Sequence, residues 1–222
     1  MFETFDGSAD LRRYERSVFT PRQCEFMAFE SYDTYTLTRL LFEGRETYLF
    51  IIKSGVAVEA APNGTFAHFI RSGASLAFSV AGAAYIADSK AAQFAPPSTE
   101  CFVGFSADGT LKLTPAGVMS AVELGVVHGV EASPFLVVNG KRLAIKDEAK
   151  RSRDRLLVGQ LRTGEPVFIY VKSCDVASAA DIAYQLGCMR AAVIANERSI
   201  DICGKGVMLN RMGGSNAAFV VR

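Results

Sequence analysis

Five glycine-containing turns divide this chain into pairs of β-rich segments, and they constrain its fold more than any other feature. Asn-Gly and Asp-Gly favour the positive backbone angles that a tight hairpin needs. The turns are Glu43-Gly44, Asn63-Gly64, Asp108-Gly109, Asn139-Gly140 and Thr163-Gly164. The flanking runs richest in β-branched and aromatic residues are 48–52, 101–105, 135–138, 167–171 and 219–221. These repeated hairpins predict a core of mostly antiparallel or mixed β-sheet.

Helical signals are few. Thr20-Pro21-Arg22-Gln23 combines an N-cap threonine, a proline at the first helical position and a glutamine at the third, which predicts a short helix to about Phe29. A second helix is predicted to start after Ser173 or Asp175 and to stop at Gly187, with one apolar face. That face comprises Val176, Ala179, Ala183 and Leu186. A third candidate covers 116–124. A few helices on such a sheet core predict an α+β fold.

The chain length of 222 residues fits one large domain with a short extension. We assign 1–30 to an N-terminal extension that carries the short helix, and 31–222 to the main domain. The aromatic and basic residues of the extension suit docking on a neighbouring protein or packing on their own domain. Residues 146–155 hold five basic and three acidic side chains, so we expect a solvated surface connector or a partner contact there.

Composition excludes several classes of protein. Half of the residues are hydrophobic, which argues against a disordered chain. The 24 basic residues are balanced by 23 acidic ones, so binding to nucleic acid through phosphate neutralisation is not expected. No apolar run approaches the roughly 20 residues that span a bilayer, and we expect no membrane partner. The acidic first ten residues do not resemble a signal peptide, so we expect cytoplasmic synthesis.

Sites for metals and cofactors are not expected either. The five cysteines and two histidines show no Cys-x-x-Cys or other zinc-ligand spacing, which favours free buried thiols. The glycine-rich nucleotide loops, the His-Glu-x-x-His zinc motif and the Gly-x-Ser-x-Gly nucleophile elbow are absent. The sequence therefore predicts no metal and no cofactor.

An ordered series of short segments resembles the phosphodiester glycosidase family in its bacterial and phage form. The family order is an Asn-Ala-Gly-type turn, an aromatic strand with a hairpin, a small-Pro-Leu-Val strand, an Arg-x-x-x-Gly strand, and a helix. That helix ends in Leu-Gly-Cys and leads to an Asp-Gly-x-x-Ser loop. The corresponding segments here are 76–82, 101–113, 133–141, 155–159, 168–173, 186–188 and 194–199. The resemblance spans roughly 34–203 and implies a phosphodiester glycosidase-like domain.

Two polar positions of the family pattern are apolar in this chain. The resemblance implies that an asparagine, an aspartate and an arginine line a sugar-phosphate site. Val80 stands in the asparagine position and Ala195 in the aspartate position, whereas Arg155 and Ser199 keep theirs. Cleavage of a glycosidic bond needs a positioned proton donor or carboxylate. Because valine and alanine supply neither, the active-site motifs are degenerate.

A second alignment of the acidic loop is open. Residues 209–215 also resemble the Asp-Gly-Gly-Gly-Ser loop, but they follow Gly187 at about twice the family spacing and place Met212 in the acid position. Under either alignment the aspartate is missing.

The candidate site residues each have two interpretations. Arg155 is either an anion clamp or a strand-edge arginine paired with Asp154 or Glu165. Glu197 is either a substitute acid or an exposed turn residue, and Asp201 is a further candidate acid. Asn196, Glu197 and Arg198 are bulky where the family has a glycine-rich loop, which obstructs the approach of phosphate to backbone N–H groups. The ligand-binding candidates are Arg155, Ser199, Asn196 and His128, whereas His68 is expected to be an ordinary strand histidine.

The resulting hypothesis is a phosphodiester glycosidase-like domain that lacks catalysis and serves as a structural or interaction module. Protein subunits in a homo- or hetero-oligomer are the expected partners, and a phage virion or assembly complex is a plausible setting. One alternative is an active hydrolase of sugar-1-phosphodiesters, with Arg155 holding the phosphate and Glu197 or Asp201 as acid. Another is a carbohydrate-binding module that keeps a sugar-phosphate ligand.

Overall fold

The computed structural model describes residues 24–62, 73–80, 84–86, 102–114, 123–144, 151–209 and 217–222. Three sheets account for the strands of these residues, and the strand pairs in them are antiparallel. The largest sheet has eight strands. In spatial order they are β1 (Cys24–Ser31), β2 (Tyr35–Phe42), β3 (Arg45–Ile52), β13 (Pro166–Cys174), β12 (Arg153–Leu161), β14 (Cys188–Asn196), β10 (Phe135–Val138) and β11 (Lys141–Arg142).

Two smaller sheets complete the described strands. The five-stranded sheet has the order β16 (Val207–Leu209), β15 (Ile202–Gly204), β5 (Leu76–Val80), β17 (Ala217–Val221) and β4 (Val58–Pro62). The four-stranded sheet has the order β6 (Ala84–Ile86), β9 (Val126–Glu131), β7 (Phe102–Ser106) and β8 (Leu111–Thr114). The fold is therefore dominated by antiparallel β-sheet, as the turn pattern predicts.

Four of the predicted hairpin turns are confirmed. They join β2 to β3, β7 to β8, β10 to β11 and β12 to β13. In the first, Phe42 pairs with Arg45, and the two loop residues Glu43 and Gly44 have φ of 49° and 76°. Positive φ at both positions matches the right-handed twist of the flanking strands. The Asn63-Gly64 turn lies outside the described residues.

The late helix is confirmed as α1 (Val176–Gln185). The side chain of Asp175 caps its first turn by accepting a hydrogen bond from the backbone N–H of Ser178 at 2.6 Å. Gly187, with φ of 82°, follows the helix in the left-handed conformation expected of a helix stop. Among the described residues no helix is long and apolar enough to cross a membrane.

The predicted helix at 20–29 is wrong from Cys24 onward. Residues 24–31 form β1, which pairs with β2 along its length, with a register shift between Phe26 and Ala28. The capping signals before Cys24 lie outside the described residues, and pairing with the main sheet satisfies the backbone of this segment instead. Residues 24–30 therefore belong to the main sheet rather than to a separate extension. Of the third helix candidate only 123 and 124 are described, and they form a turn.

Two hydrophobic clusters lie on opposite faces of the eight-stranded sheet. Leu156 and Val158 of β12 point into the cluster shared with the smaller sheets, where Phe78 of β5 stacks on Phe168 of β13 with ring centroids 4.0 Å apart. Leu157 of β12 points into the other cluster, which α1 covers. This alternation follows from the two-residue period of a strand. The central strands are thus buried on both faces, which explains their nearly continuous apolar sequences.

Candidate functional site

Arg155 occupies an interior position of the main sheet. It lies on β12, between β13 and β14, and only 5% of its surface is exposed. Its Nε donates to the carbonyl of Cys174 at 2.9 Å, Nη1 donates to Oδ1 of Asn196 at 2.7 Å, and Nη2 donates to the carbonyl of Arg151 at 3.1 Å. Burial lowers the pKa of Arg155, because desolvation disfavours the charged form. Each guanidinium nitrogen is therefore engaged with the protein itself.

The interpretation of Arg155 as a strand-edge arginine paired with Asp154 or Glu165 is wrong. Its partners are two carbonyl oxygens and an amide oxygen, whereas Asp154 accepts hydrogen bonds from Tyr170 Oη at 2.8 Å and from the N–H of Ser173 at 3.0 Å. The prediction of a solvated connector at 146–155 is also wrong at the C-terminal end of this segment. Asp154 is 9% exposed and lies in β12 with Arg155. Local charge density cannot predict this burial, because most of the groups that hydrogen-bond to Asp154 and Arg155 lie on β13 and β14.

In the turn after β14, the side chains of Asn196 and Ser199 form hydrogen bonds within the protein. Residues 197–199 form a single 3-10 turn. The Ser199 hydroxyl donates to the carbonyl of Asn196 at 2.7 Å, while the Asn196 side chain accepts from Arg155. The bond between Ser199 and Asn196 stabilises the turn, and the bond from Arg155 joins the turn to β12.

Ser79 connects this turn to the five-stranded sheet, and sequence reasoning missed it. Its hydroxyl donates to the carbonyl of Ser199 at 2.7 Å, and its N–H donates to the carbonyl of Asp201 at 2.9 Å. The side chain is 1% exposed in a strand that is buried throughout. The one hydroxyl within the apolar run 76–80 was the available signal, because buried polar groups require partners.

The four positions expected to form the family site lie together. Arg155 pairs with Asn196 across the β12–β14 ladder, and Leu156 pairs with Ala195. Val80 follows Ser79 on β5, and Val80 and Ala195 belong to the same hydrophobic cluster, at 0% and 1% exposure. At both of these positions the chain places an apolar side chain in the hydrophobic core.

The two candidate acids lie beside this cluster and make different contacts. Glu197 has φ of 42° and forms an ion pair with Arg153 at 3.6 Å, with both side chains partly exposed. Asp201 is half-buried, and its backbone is bonded to Ser79. The Glu197 carboxylate thus pairs with Arg153 and not with Arg155, whose hydrogen bonds go to Cys174, Asn196 and Arg151.

His128 does not join Arg155. It lies on β9, opposite Phe105 of β7, and lines a cavity together with the β12–β13 hairpin at the other end of β12. Burial lowers its pKa, opposed by the nearby Glu59 carboxylate. His68 lies outside the described residues.

Metal-binding and thiol chemistry find no support in the described part of the chain. No group of three or more His, Cys, Asp and Glu side chains is placed to hold a metal ion within it. Its cysteines are free thiols, and burial raises the pKa of Cys174 to about 11 and that of Cys188 to about 12. A thiol that resists ionisation is a poor nucleophile.

Comparison with known proteins identifies the family. The sequence model for phosphodiester glycosidase matches residues 57–194, which is more than half of the chain. A search of curated proteins finds no significant match.

Solved structures share the fold at low sequence identity. The catalytic domain of zebrafish N-acetylglucosamine-1-phosphodiester alpha-N-acetylglucosaminidase, auto-inhibited by its pro-peptide, superposes with a TM-score of 0.60 at 10% identity, covering 95% of this chain and 92% of that one. A hypothetical protein from Synechocystis gives 0.58 at 11% identity, covering 91% and 64%. A putative exported protein from Burkholderia pseudomallei gives 0.50 at 8%, covering 83% and 74%. The family match and the shared fold agree, and the chain belongs to the phosphodiester glycosidase family.

Proposed function

We propose that this chain is a non-catalytic phosphodiester glycosidase-like domain that serves as a structural or interaction module. The observation that carries the proposal is the internal engagement of Arg155. Its three guanidinium nitrogens bind Cys174, Asn196 and Arg151. An arginine that holds a phosphate must direct at least one edge of its guanidinium at the ligand.

The surroundings of Arg155 support the same proposal. Glycoside cleavage uses a carboxyl group to protonate the leaving oxygen and a second group to stabilise the cationic transition state. Val80 and Ala195 occupy the positions where the family resemblance implies polar groups, and both are buried in the hydrophobic core. Reaching this space would require a ligand to displace core packing.

An interaction role has one supporting feature at one edge of the main sheet. Phe26 and Met27 are 37% and 53% exposed on β1, the terminal strand of that sheet among the described residues. Aromatic and methionine side chains are enriched at protein interfaces. The identity of the partner and a virion or assembly setting remain predictions.

Turnover of a chromogenic sugar-1-phosphodiester tests the proposal. We expect no hydrolysis above the buffer blank by the full chain, while an active family member assayed in parallel hydrolyses the substrate. Hydrolysis that is abolished in Arg155→Ala and retained in Arg142→Ala, a change at an exposed arginine paired with Asp181, would establish the active hydrolase instead. Circular dichroism spectra of both variants would exclude misfolding as the cause.

Ligand titration separates the carbohydrate-binding alternative. We expect N-acetylglucosamine 1-phosphate to produce no saturable heat in isothermal titration calorimetry. Saturable binding without turnover, weakened by Arg155→Ala but not by Arg142→Ala, would assign a carbohydrate-binding module and refute the purely structural interpretation of this region.

A further inference from the structure

The face of the main sheet that carries α1 is also buried on β2 and β3. There it presents five side chains that are between 0 and 7% exposed, which we call the β2–β3 surface: Thr38, Leu40, Thr47, Leu49 and Ile51. Thr38 pairs with Leu49, and Leu40 with Thr47, so these side chains share one face. A sheet face becomes buried only where another layer packs on it. Some part of the molecule therefore lies on the β2–β3 surface.

Helix α1 is too far away to be that layer. It packs against β10, β11 and β14, and against β13, from whose end it starts. In the sheet order β2 is four strands from β14, which at about 4.8 Å per strand is about 19 Å. A helix with its side chains is only about 10 to 12 Å wide. The two smaller sheets pack on the other face of the main sheet, through side chains such as Phe78 and Val103. No helix or strand among the described residues therefore covers the β2–β3 surface.

The chain before Cys24 is attached beside this surface. Residues 1–23 lead directly into β1, the neighbour of β2, and Cys24 packs against the cluster that contains Leu40 and Leu49. The other segments outside the described residues are attached elsewhere. Residues 145–150 join β11 to β12, on the side of α1, and the remaining segments join strands of the smaller sheets; these are 63–72, 81–83, 87–101, 115–122 and 210–216. The position of its attachment therefore favours 1–23 as the covering segment.

The sequence of 1–23 supplies the apolar side chains that such a layer requires. They include six aromatic or aliphatic residues: Phe2, Phe5, Leu11, Tyr14, Val18 and Phe19. Leu11, Tyr14 and Val18 follow the i, i+3, i+7 spacing of one apolar stripe. The positions between them are mostly charged, namely Arg12, Arg13, Glu15 and Arg16. This pattern allows the stripe to be buried while the charged side chains stay in water.

We propose that the β2–β3 surface is the docking site of residues 1–23 of the same chain, which contact it through Leu11, Tyr14 and Val18. The segment then belongs to the core of the domain and does not serve to bind a neighbouring protein. The docking site is separate from the family site, because Val80 and Ala195 lie in the hydrophobic cluster on the other face of the main sheet. The proposal is therefore independent of whether the domain is catalytic.

Nuclear Overhauser contacts in the full chain test the docking directly. In a deuterated chain with protonated Tyr rings and Leu and Ile methyl groups, we expect contacts from the Tyr14 ring to methyl groups of Leu40, Leu49 or Ile51. The ring signal missing from Tyr14→Leu identifies Tyr14, and conservative changes such as Ile51→Val identify the methyl groups. Absence of every contact between 1–23 and the β2–β3 surface would overturn the proposal.

Two neighbouring substitutions in the full chain test whether the contact is stabilising. Tyr14→Ala removes a buried ring and should lower the midpoint of urea unfolding by about 1 M. Arg13→Ala is the matched control, because Arg13 lies outside the apolar stripe and its loss should move the midpoint by no more than about 0.2 M. Equal midpoints for the two variants would contradict the burial of Tyr14.

Two measurements on the wild-type chain decide between the possible occupants of the surface. Docking within one chain predicts an unfolding midpoint that is constant over about a hundredfold range of chain concentration. A midpoint that rises with concentration would assign the segment of a second copy and overturn the proposal. The dye ANS, which binds exposed apolar surface, should give no enhanced fluorescence with the native chain. Strong ANS fluorescence would show that the β2–β3 surface is open to another partner, and would also overturn the proposal.

Discussion

Replacing Arg155 by alanine should destabilise the fold by about 3 kcal/mol. The change leaves the carbonyl of Cys174 and the side chain of Asn196 without their donor, and Cys174 is fully buried. A buried acceptor without a partner costs about 1 to 3 kcal/mol. The Asn196 amide, which water can partly reach, contributes about 1 kcal/mol on the same scale. Loss of the packed arginine stem adds about 1 kcal/mol, and removing a desolvated charge offsets part of the sum.

Arg153→Ala provides the matched control for this prediction. Arg153 lies two residues earlier on β12, is 36% exposed, and pairs with Glu197 at 3.6 Å. A surface ion pair of this kind contributes at most about 1 kcal/mol. In urea unfolding, with a slope of about 2 to 3 kcal/mol per M, the Arg155 variant should lose about 1 to 1.5 M in midpoint.

Two outcomes would refute this reasoning about Arg155. If the free energies of unfolding of the two variants differ by less than about 0.5 kcal/mol, the hydrogen bonds of Arg155 do not stabilise the packing of these strands. If Arg155→Ala keeps its stability but loses binding of a sugar phosphate that the wild-type chain binds, the residue is an anion clamp and its internal hydrogen bonds are replaced by the ligand.

Two further predictions concern a close backbone contact and a buried histidine. Gly159→Ala should cost about 1 to 3 kcal/mol in urea unfolding, because the added Cβ would lie 2.8 Å from the carbonyl oxygen of Arg190; wild-type stability would contradict this packing. Burial lowers the folded pKa of His128 below its ordinary 6.5. The unfolded chain therefore binds the proton first, and stability should fall as the pH drops through 6.5 toward the folded pKa. His128→Gln should flatten this slope, and an unchanged slope would assign it to other groups.

The hairpins and the late helix were predictable because their determinants are local. A two-residue loop such as Glu43-Gly44 carries its own conformational preference, and α1 carries its cap at Asp175 and its stop at Gly187. The same kind of local signal failed at 24–29, where strand pairing with β2 replaced the predicted helix. Hydrogen bonds to a neighbouring strand depend on the whole sheet, and no local motif reports them.

The sequence by itself determined the strand-rich fold, because turn residues and β-rich segments are properties of residue type and spacing. The family resemblance added the prediction that Val80 and Ala195 stand where polar groups are expected. Only the tertiary structure decided that Arg155 is an internal tie, because its acceptors come from the end of β13, the end of β14 and the segment before β12. It also decided that His128 lies near the β12–β13 hairpin, because the β9 strand and this hairpin meet only when the sheets pack.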